Sequence, residues 1–286
     1  MTELLSGDVV TLVVKEKQAS QYILTNDETD VRLNSSEVLE ELNENDQVKV
    51  FLYADRRGDL AATTAIPHIT KDTFGWARVM RVSRHDGAVI DIGTSREVIV
   101  PAEDLPVMES LWPEVGDHLY VTLRVDYNGN LFGRLVTEER VMELFEDGEP
   151  ELFNKNIIAR PYRLLPIGTF LLGVEKPYRI FVHQTERDAE PRFGSDVNVR
   201  IIEVKEDGTM NASMKPRVYE RLSADADQIF AYLQEVGGKM PFGDKSSPDE
   251  IKDMFNMSKG SFKRALGTLM KAGRIEQVDG WTKLKD

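Results

Sequence analysis

Four histidines and no cysteine set the first limits on chemistry in this 286-residue chain. His68, His85, His118 and His183 stand singly, none in the H-E-x-x-H spacing that would hold a zinc ion beside a general base. Without cysteine there is no thiol nucleophile, thiolate metal site or disulfide, which is compatible with a reducing cytoplasm. No G-x-S-x-G elbow is present, and Gly237-Gly238-Lys239 runs into Met240 without the upstream glycine of a phosphate-binding loop. Asp225 and Asp227 come nearest to a paired-carboxylate site. They fall at the start of an expected helix, where negative charge suits the helix dipole. The acidic groups Glu37/Glu40/Glu41/Glu44 and Glu138/Glu139/Glu143/Glu146 read as solvated helical faces. The expectation is a protein that is not an enzyme and uses no metal or cofactor.

What remains is stacking and phosphate chemistry. Aromatic and basic side chains interleave at Arg160, Tyr162, Arg163, Tyr178 and Arg179. Rings on an open surface stack against unpaired bases, and neighbouring cations track the phosphates. The net charge of −13 opposes this until it is divided along the chain. Residues 1–151 hold 14 Lys and Arg against 30 Asp and Glu, whereas residues 152–217 hold 11 against 8. Residues 218–240 hold 2 against 4, and residues 241–286 hold 9 against 7. All the acidity lies in the first half, which would repel nucleic acid, position the molecule or meet a protein partner.

The elements that must carry these residues follow from spacing. Three pairs, Asn45-Asp46, Gly116-Asp117 and Ser195-Asp196, each precede an alternating strand. In each case twelve residues separate the Asp from a turn glycine: Gly58, Gly129 and Gly208. Asn128-Gly129, Asp207-Gly208 and Asp86-Gly87 read as hairpin turns, the first two with positive φ at both positions. A recurring unit of about five short strands suits a small closed barrel, because closure removes exposed edges. Between the second and third units, Val141, Met142, Leu144 and Phe145 form one side of a short helix over 138–146.

From about Ser223 the periodicity becomes helical. Ser223 is the expected cap of a helix with Ile229, Phe230, Leu233 and Val236 on one face, stopped by Gly237-Gly238. A second helix starts at Ser247 with Pro248 and Glu250 completing a capping box. Ser258 caps a third, in which Phe262, Ala265, Leu266, Leu269 and Met270 face inward. A hairpin turning at Asp279-Gly280 follows, so the order is that of a winged helix-turn-helix. Lys259, Lys263, Arg264, Thr268, Lys271 and Arg274 are its candidate nucleic-acid contacts. With 41% hydrophobic and 30% charged residues the chain reads as folded. No apolar run approaches the ~20 residues of a membrane span, and Met1 to Gly7 shows no signal-peptide pattern. A cytoplasmic, membrane-independent protein is expected.

The third unit resembles an S1-type RNA-binding domain, a five-stranded OB barrel. Leu165-Pro-Ile-Gly-Thr-Phe-Leu171 is similar to that family's strand with two stacking aromatics. Phe181-Val-His-Gln-Thr-Glu186 is similar to its next strand, with an RNA-contacting histidine. Three such units followed by Lys245-Ser-Ser-Pro-Asp-Glu250 and Ser258-Lys-Gly-Ser-Phe-Lys-Arg-Ala-Leu266 resemble the conserved virulence factor B (YitL-like) family of bacteria over essentially the whole chain. That resemblance implies RNA binding and post-transcriptional control of gene expression, including virulence-associated genes. The S1-type binding positions fall in the third barrel on Ile167, Phe170, His183, Lys205 and Thr209. In the second they fall on Asp86, Val89, Pro101, Asp126 and Asn130, and in the first on Ala19, Tyr22, Asn34, Asp55 and Asp59. The first two barrels have mostly exchanged stacking residues for carboxylates.

The expected architecture is mainly β plus α: tandem five-stranded S1-type OB barrels followed by a winged helix-turn-helix. Its divisions are 1–66, 67–137, a helical linker 138–151, 152–217 and 218–286. The expected activity is single-stranded RNA binding through Phe170, His183, Arg160, Tyr162, Arg163, Tyr178, Arg179 and Lys205 with the winged helix. Two alternatives stay open at this point: a winged-helix DNA-binding regulator, and a protein-interaction scaffold with vestigial barrels.

Overall fold

A computed structural model describes residues 3–55, 57–278 and 280–285, without the side chains of residues 218–223. The chain divides into two units, Met1–Met214 and Lys215–Asp286.

The first unit holds three closed five-stranded barrels. The first comprises β1 (Val9–Lys17), β2 (Gln21–Thr25), β3 (Asp30–Asn34), β4 (Gln47–Ala54) and β5 (Leu60–Thr63). The second comprises β6 (Gly75–Ser83), β7 (Gly87–Asp91), β8 (Val98–Pro101), β9 (His118–Val125) and β10 (Leu131–Leu135). The third comprises β11 (Asn156–Leu165), β12 (Gly168–Gly173), β13 (Arg179–His183), β14 (Val197–Val204) and β15 (Met210–Ser213). In every barrel the first strand pairs with the second and fourth, and the third and fifth strands run parallel. Alternation drives each strand: β3 buries Val31 and Leu33 and turns Asp30 and Asn34 to water. A bulge in the long first strand recurs at Val14/Glu16, Val79/Arg81 and Pro161/Arg163, bending it around the barrel.

The twelve-residue interval reports a shared turn. Gly58, Gly129 and Gly208 adopt φ of +86°, +83° and +75°. Each amide bonds the carbonyl three residues back, on Asp55, Asp126 and Lys205. Asn128 and Asp207 do not have positive φ, contrary to the two-residue turn read from sequence. In the second and third barrels the loop is a three-residue turn with a single left-handed glycine, a bulged hairpin.

The short helix α1 (Glu138–Leu144) links the second and third barrels, capped by Thr137 and buried at Val141. The acidic run after Ser35 is not helical beyond a single 3-10 turn at Ser35–Glu37. The Glu37 carbonyl accepts both the amide and the hydroxyl of Thr64, which ties this segment to the end of β5. Tertiary pairing thus overrides the helical charge spacing.

The second unit has α2 (Val218–Glu235), β16 (Lys239–Met240), α3 (Pro248–Phe255), α4 (Lys259–Lys271), β17 (Ile275–Val278) and β18 (Trp281–Leu284). The strands form a sheet in the order β16-β18-β17. Helix α2 begins five residues before Ser223, so that residue is not at its cap; its side chain, like Asp279 in the hairpin turn, lies outside the described residues. Val236 falls past the helix end and is exposed, and Met270, at the edge of the apolar stripe, is exposed too. Ser247 and Glu250 form the expected capping box, and Ser258 caps α4. Ile229, Leu233, Ile251, Phe255, Phe262, Leu266 and Leu269 make this unit's own core. No helix among the described residues is long and apolar enough to cross a membrane.

Candidate nucleic-acid interface

Strands β12 and β13 carry a half-buried aromatic row on the outer face of the third barrel, with Phe170 packed against the Val136–Val141–Tyr162–Leu172 cluster. Thr169, Leu171, Ile180 and Val182 point into the barrel, so Phe170, Phe181 and His183 point out. Phe170 pairs directly with Phe181, their ring centres 4.9 Å apart, and Gly168 pairs with His183. A Cβ on Gly168 would lie 2.5 Å from the Phe181 ring, so glycine here lets that ring lie across the strand. The His183 ring centre is 6.4 Å from Phe181. His183 Nδ1 accepts the Thr185 amide at 3.2 Å. A neutral ring therefore carries its proton on Nε2, available to donate outward.

Cations flank the rings. The Arg179 and Arg163 guanidinium carbons lie 4.6 and 5.8 Å from the Phe170 ring centre. Glu138, the first residue of α1, accepts from Arg179 Nε at 2.8 Å and from the Tyr162 hydroxyl at 2.9 Å. Arg163 approaches the same carboxylate at 3.4 Å. Burial pulls the Glu138 carboxyl up, but hydrogen bonds from Arg179 and Tyr162 outweigh it and hold it below the ordinary carboxylate value. Glu138 is thus no solvated residue; it orients both arginines. Burial, then the Glu138 charge, pushes the Tyr162 hydroxyl far above the usual tyrosine value.

Several residues read from sequence as contacts serve the fold instead. Tyr162 is the bulge residue of β11 and is buried with Val136, Val141 and Leu172 where the second barrel, α1 and the third barrel meet. Arg160 is buried there too, its guanidinium carbon 4.8 Å from the Trp76 ring centre and its Nε 2.6 Å from Asp196. Tyr178 packs in the third barrel's core. Arg160 and Tyr162 are taken up where the barrels dock, and Tyr178 in the core of its own barrel, so their rings and charge serve the fold. Lys205 is exposed on the β14–β15 turn, and Thr209 is buried beside it. Ile167 is exposed at the β11–β12 turn. Phe181 was not singled out from sequence, although it stands two residues before His183 and so on the same face of the strand. In the first two barrels, Tyr22 and Val89 are buried and no aromatic takes their place.

In the second unit, Lys263, Arg264, Thr268 and Lys271 lie along the exposed face of α4, with Lys259 half-buried at its start. Thr268 Oγ1 donates to the Arg264 carbonyl, and Arg264 reaches Ser261 Oγ at 3.3 Å. Arg274 lies 3.6 Å from the Phe230 ring centre, held against its own unit.

Comparison with known proteins accounts for all four domains. Residues 6–65 match an S1 domain model, and residues 74–134 match the first S1-like domain of CvfB. Residues 141–216 match the second domain of the virulence regulatory factor CvfB, and residues 227–284 the CvfB-like winged helix domain. The chain is 46% identical over 291 residues to conserved virulence factor B of Staphylococcus aureus, covering 98% of this chain and 96% of that protein. It is 42% identical over 276 residues to the uncharacterized protein YitL of Bacillus subtilis, covering 96% and 92%. A crystal structure of a multidomain protein with nucleic acid binding domains from Streptococcus pneumoniae is similar at 38% identity and a TM-score of 0.68, with 98% of each chain covered.

Proposed function

The chain belongs to the conserved virulence factor B family, and on that premise we propose that it is a nucleic-acid-binding regulator, not an enzyme, that takes single-stranded RNA on its third barrel. One observation carries this reading: the outward pair Phe170–Phe181 beside His183, flanked by Arg163 and Arg179, on the face where an S1-type barrel stacks bases. Stacking demands unpaired bases, and at the corresponding strand positions the first two barrels hold the buried Tyr22 and Val89. The contact set is Phe170, Phe181, His183, Arg163, Arg179 and Lys205, joined by Lys259, Lys263, Arg264, Thr268, Lys271 and Arg274 of the winged unit. The regulatory role, virulence genes included, rests on the relatives' names.

A second reading, duplex DNA on α4, is favoured by the exposed Arg264, Thr268 and Lys271, which stand in the recognition position of a helix-turn-helix. Titration of the full chain with single-stranded RNA and with duplex DNA at one salt concentration separates the two. Tighter binding of RNA, lost in Phe181→Ala, supports the first reading; tighter binding of duplex, lost in Arg264→Ala, supports the second. A partner held equally well after nuclease treatment, with negligible affinity for either nucleic acid, would mark the acidic barrels as a protein scaffold.

A further inference from the structure

The outer face of the wing combines features that its helix-turn-helix does not need. Register fixes which residues share it. Met240, Thr282, Ile275 and Leu284 turn inward, so Lys239, Lys283, Glu276, Trp281 and Val278 turn out. Trp281 is 39% exposed and pairs directly with exposed Val278. Lys239 Nζ sits 4.3 Å from the Trp281 ring centre. Lys239 and Lys283 stand directly opposite each other on neighbouring strands, an arrangement that costs stability, and among the described residues of this sheet Glu276 stands opposite Lys283. Lysines on a short edge strand do protect a sheet against pairing. That purpose requires neither an exposed tryptophan under the lysine nor two lysines face to face.

We infer that this face is a second base-stacking site, which takes an unpaired nucleobase on Trp281 and its flanking phosphates on Lys239 and Lys283. The inference rests on the reading that the protein binds single-stranded nucleic acid. A π surface, an adjacent aliphatic side chain and two lysines against one glutamate among the described residues match a base joined to phosphates. The ammonium now over the ring is within reach of the phosphate that would arrive with the base. The winged unit would then recognise unpaired strands through its wing, independently of α4.

The test uses the full chain and an unstructured oligouridylate of about 15 nucleotides, near the upper site size of one OB barrel. A duplex of the same length is the comparison. Trp281→Ala is expected to weaken single-strand binding by roughly 5- to 150-fold, the loss of one stack, and Trp281→Phe to restore most of it. Ligand-induced quenching of tryptophan emission should disappear in Trp281→Phe. The double variant Lys239→Gln/Lys283→Gln should reduce the slope of log affinity against log salt by about 1.4. An unchanged affinity in a Trp281→Ala protein that melts like the parent overturns the inference. So does an equal loss for duplex and single strand. If Phe181→Ala weakens binding and Trp281→Ala does not, the wing site falls and the third-barrel reading stands. The reverse result removes the third-barrel platform and leaves the wing. A parent chain that does not bind the oligouridylate sinks both.

Discussion

At the scale of single residues, Phe181 and Glu138 make opposite predictions. Phe181 offers a ring to a base, so Phe181→Ala should cost about 1–3 kcal/mol of single-stranded RNA affinity and leave the fold intact. Fluorescence anisotropy with a labelled oligonucleotide measures this; an unchanged affinity would remove Phe181 from the contact set. Glu138 holds Arg179 and Tyr162 and also places a negative charge among the phosphate-binding cations. Glu138→Gln is therefore expected to lower the melting temperature, since the buried Tyr162 hydroxyl and the half-buried Arg179 lose a charged acceptor, at a cost of about 1–3 kcal/mol. The same change should tighten RNA binding. Its carboxyl lies below its ordinary value in the folded protein. Its stabilising contribution is thus present above the unfolded value of about 4.3 and fades as pH falls through the lower folded value. Phe181 was legible by period: a residue two before a binding histidine shares its face. The burial of Arg160 and Tyr162 was not legible. Alternation tells which side of a strand a residue occupies, not whether another barrel will cover that side.

Among elements, the β13–β14 loop is the clasp between the second and third barrels. Its Gly194 has φ of +77°, accepts the His118 amide at 3.0 Å and donates to the Pro161 carbonyl. A Cβ there would lie 2.5 Å from the His118 carbonyl oxygen. Gly194→Ala is expected to destabilise the first unit by more than about 1 kcal/mol, from positive φ and the clash together, and to expose the loop to protease. Calorimetry and limited proteolysis check this. His118 sits in the same junction. Burial, with the Arg160 charge, holds its pKa below the ordinary value. The unfolded chain therefore takes up its proton first, and stability should begin to fall as pH drops below about 6.5. His118→Gln should remove that part of the decline in a pH series of melting curves. The repeat was legible because a fixed chain length separates the lead-in turn from the bulged hairpin in every barrel. The capping box at Ser247 and the cap at Ser258 were legible because their bonds are local. Strand β16 was not, since two residues carry no period. The segment after Glu37 misled because its charges mimic a helix that Thr64 forbids.

On the scale of the molecule, the boundary between independent parts falls at Met214/Lys215, not beside α1. Residues 215–286 own a complete core, whereas the third barrel shares buried residues with the second. Fragments 1–214 and 215–286 are each expected to fold, with cooperative transitions matching two steps in the full chain. A cut near residue 150 should yield an unstable C-terminal piece with Arg160 and Tyr162 exposed. Scanning calorimetry distinguishes the outcomes; a single transition that disappears in both fragments would contradict the division. The net charge of −13 then has a structural location. The acidic first half lies in barrels whose S1-type strand positions hold the buried Tyr22 and Val89, so it restricts where RNA sits without preventing binding. The sharing of cores also gives this protein a history on the ribosome. Phe193 belongs to the third barrel in sequence but is buried in the core of the second. At about 5–20 residues per second, it is made several seconds after Leu135 ends the second barrel. During that interval the second barrel waits at the exit tunnel with a vacancy where a phenylalanine belongs, and it becomes complete only when its successor is synthesised.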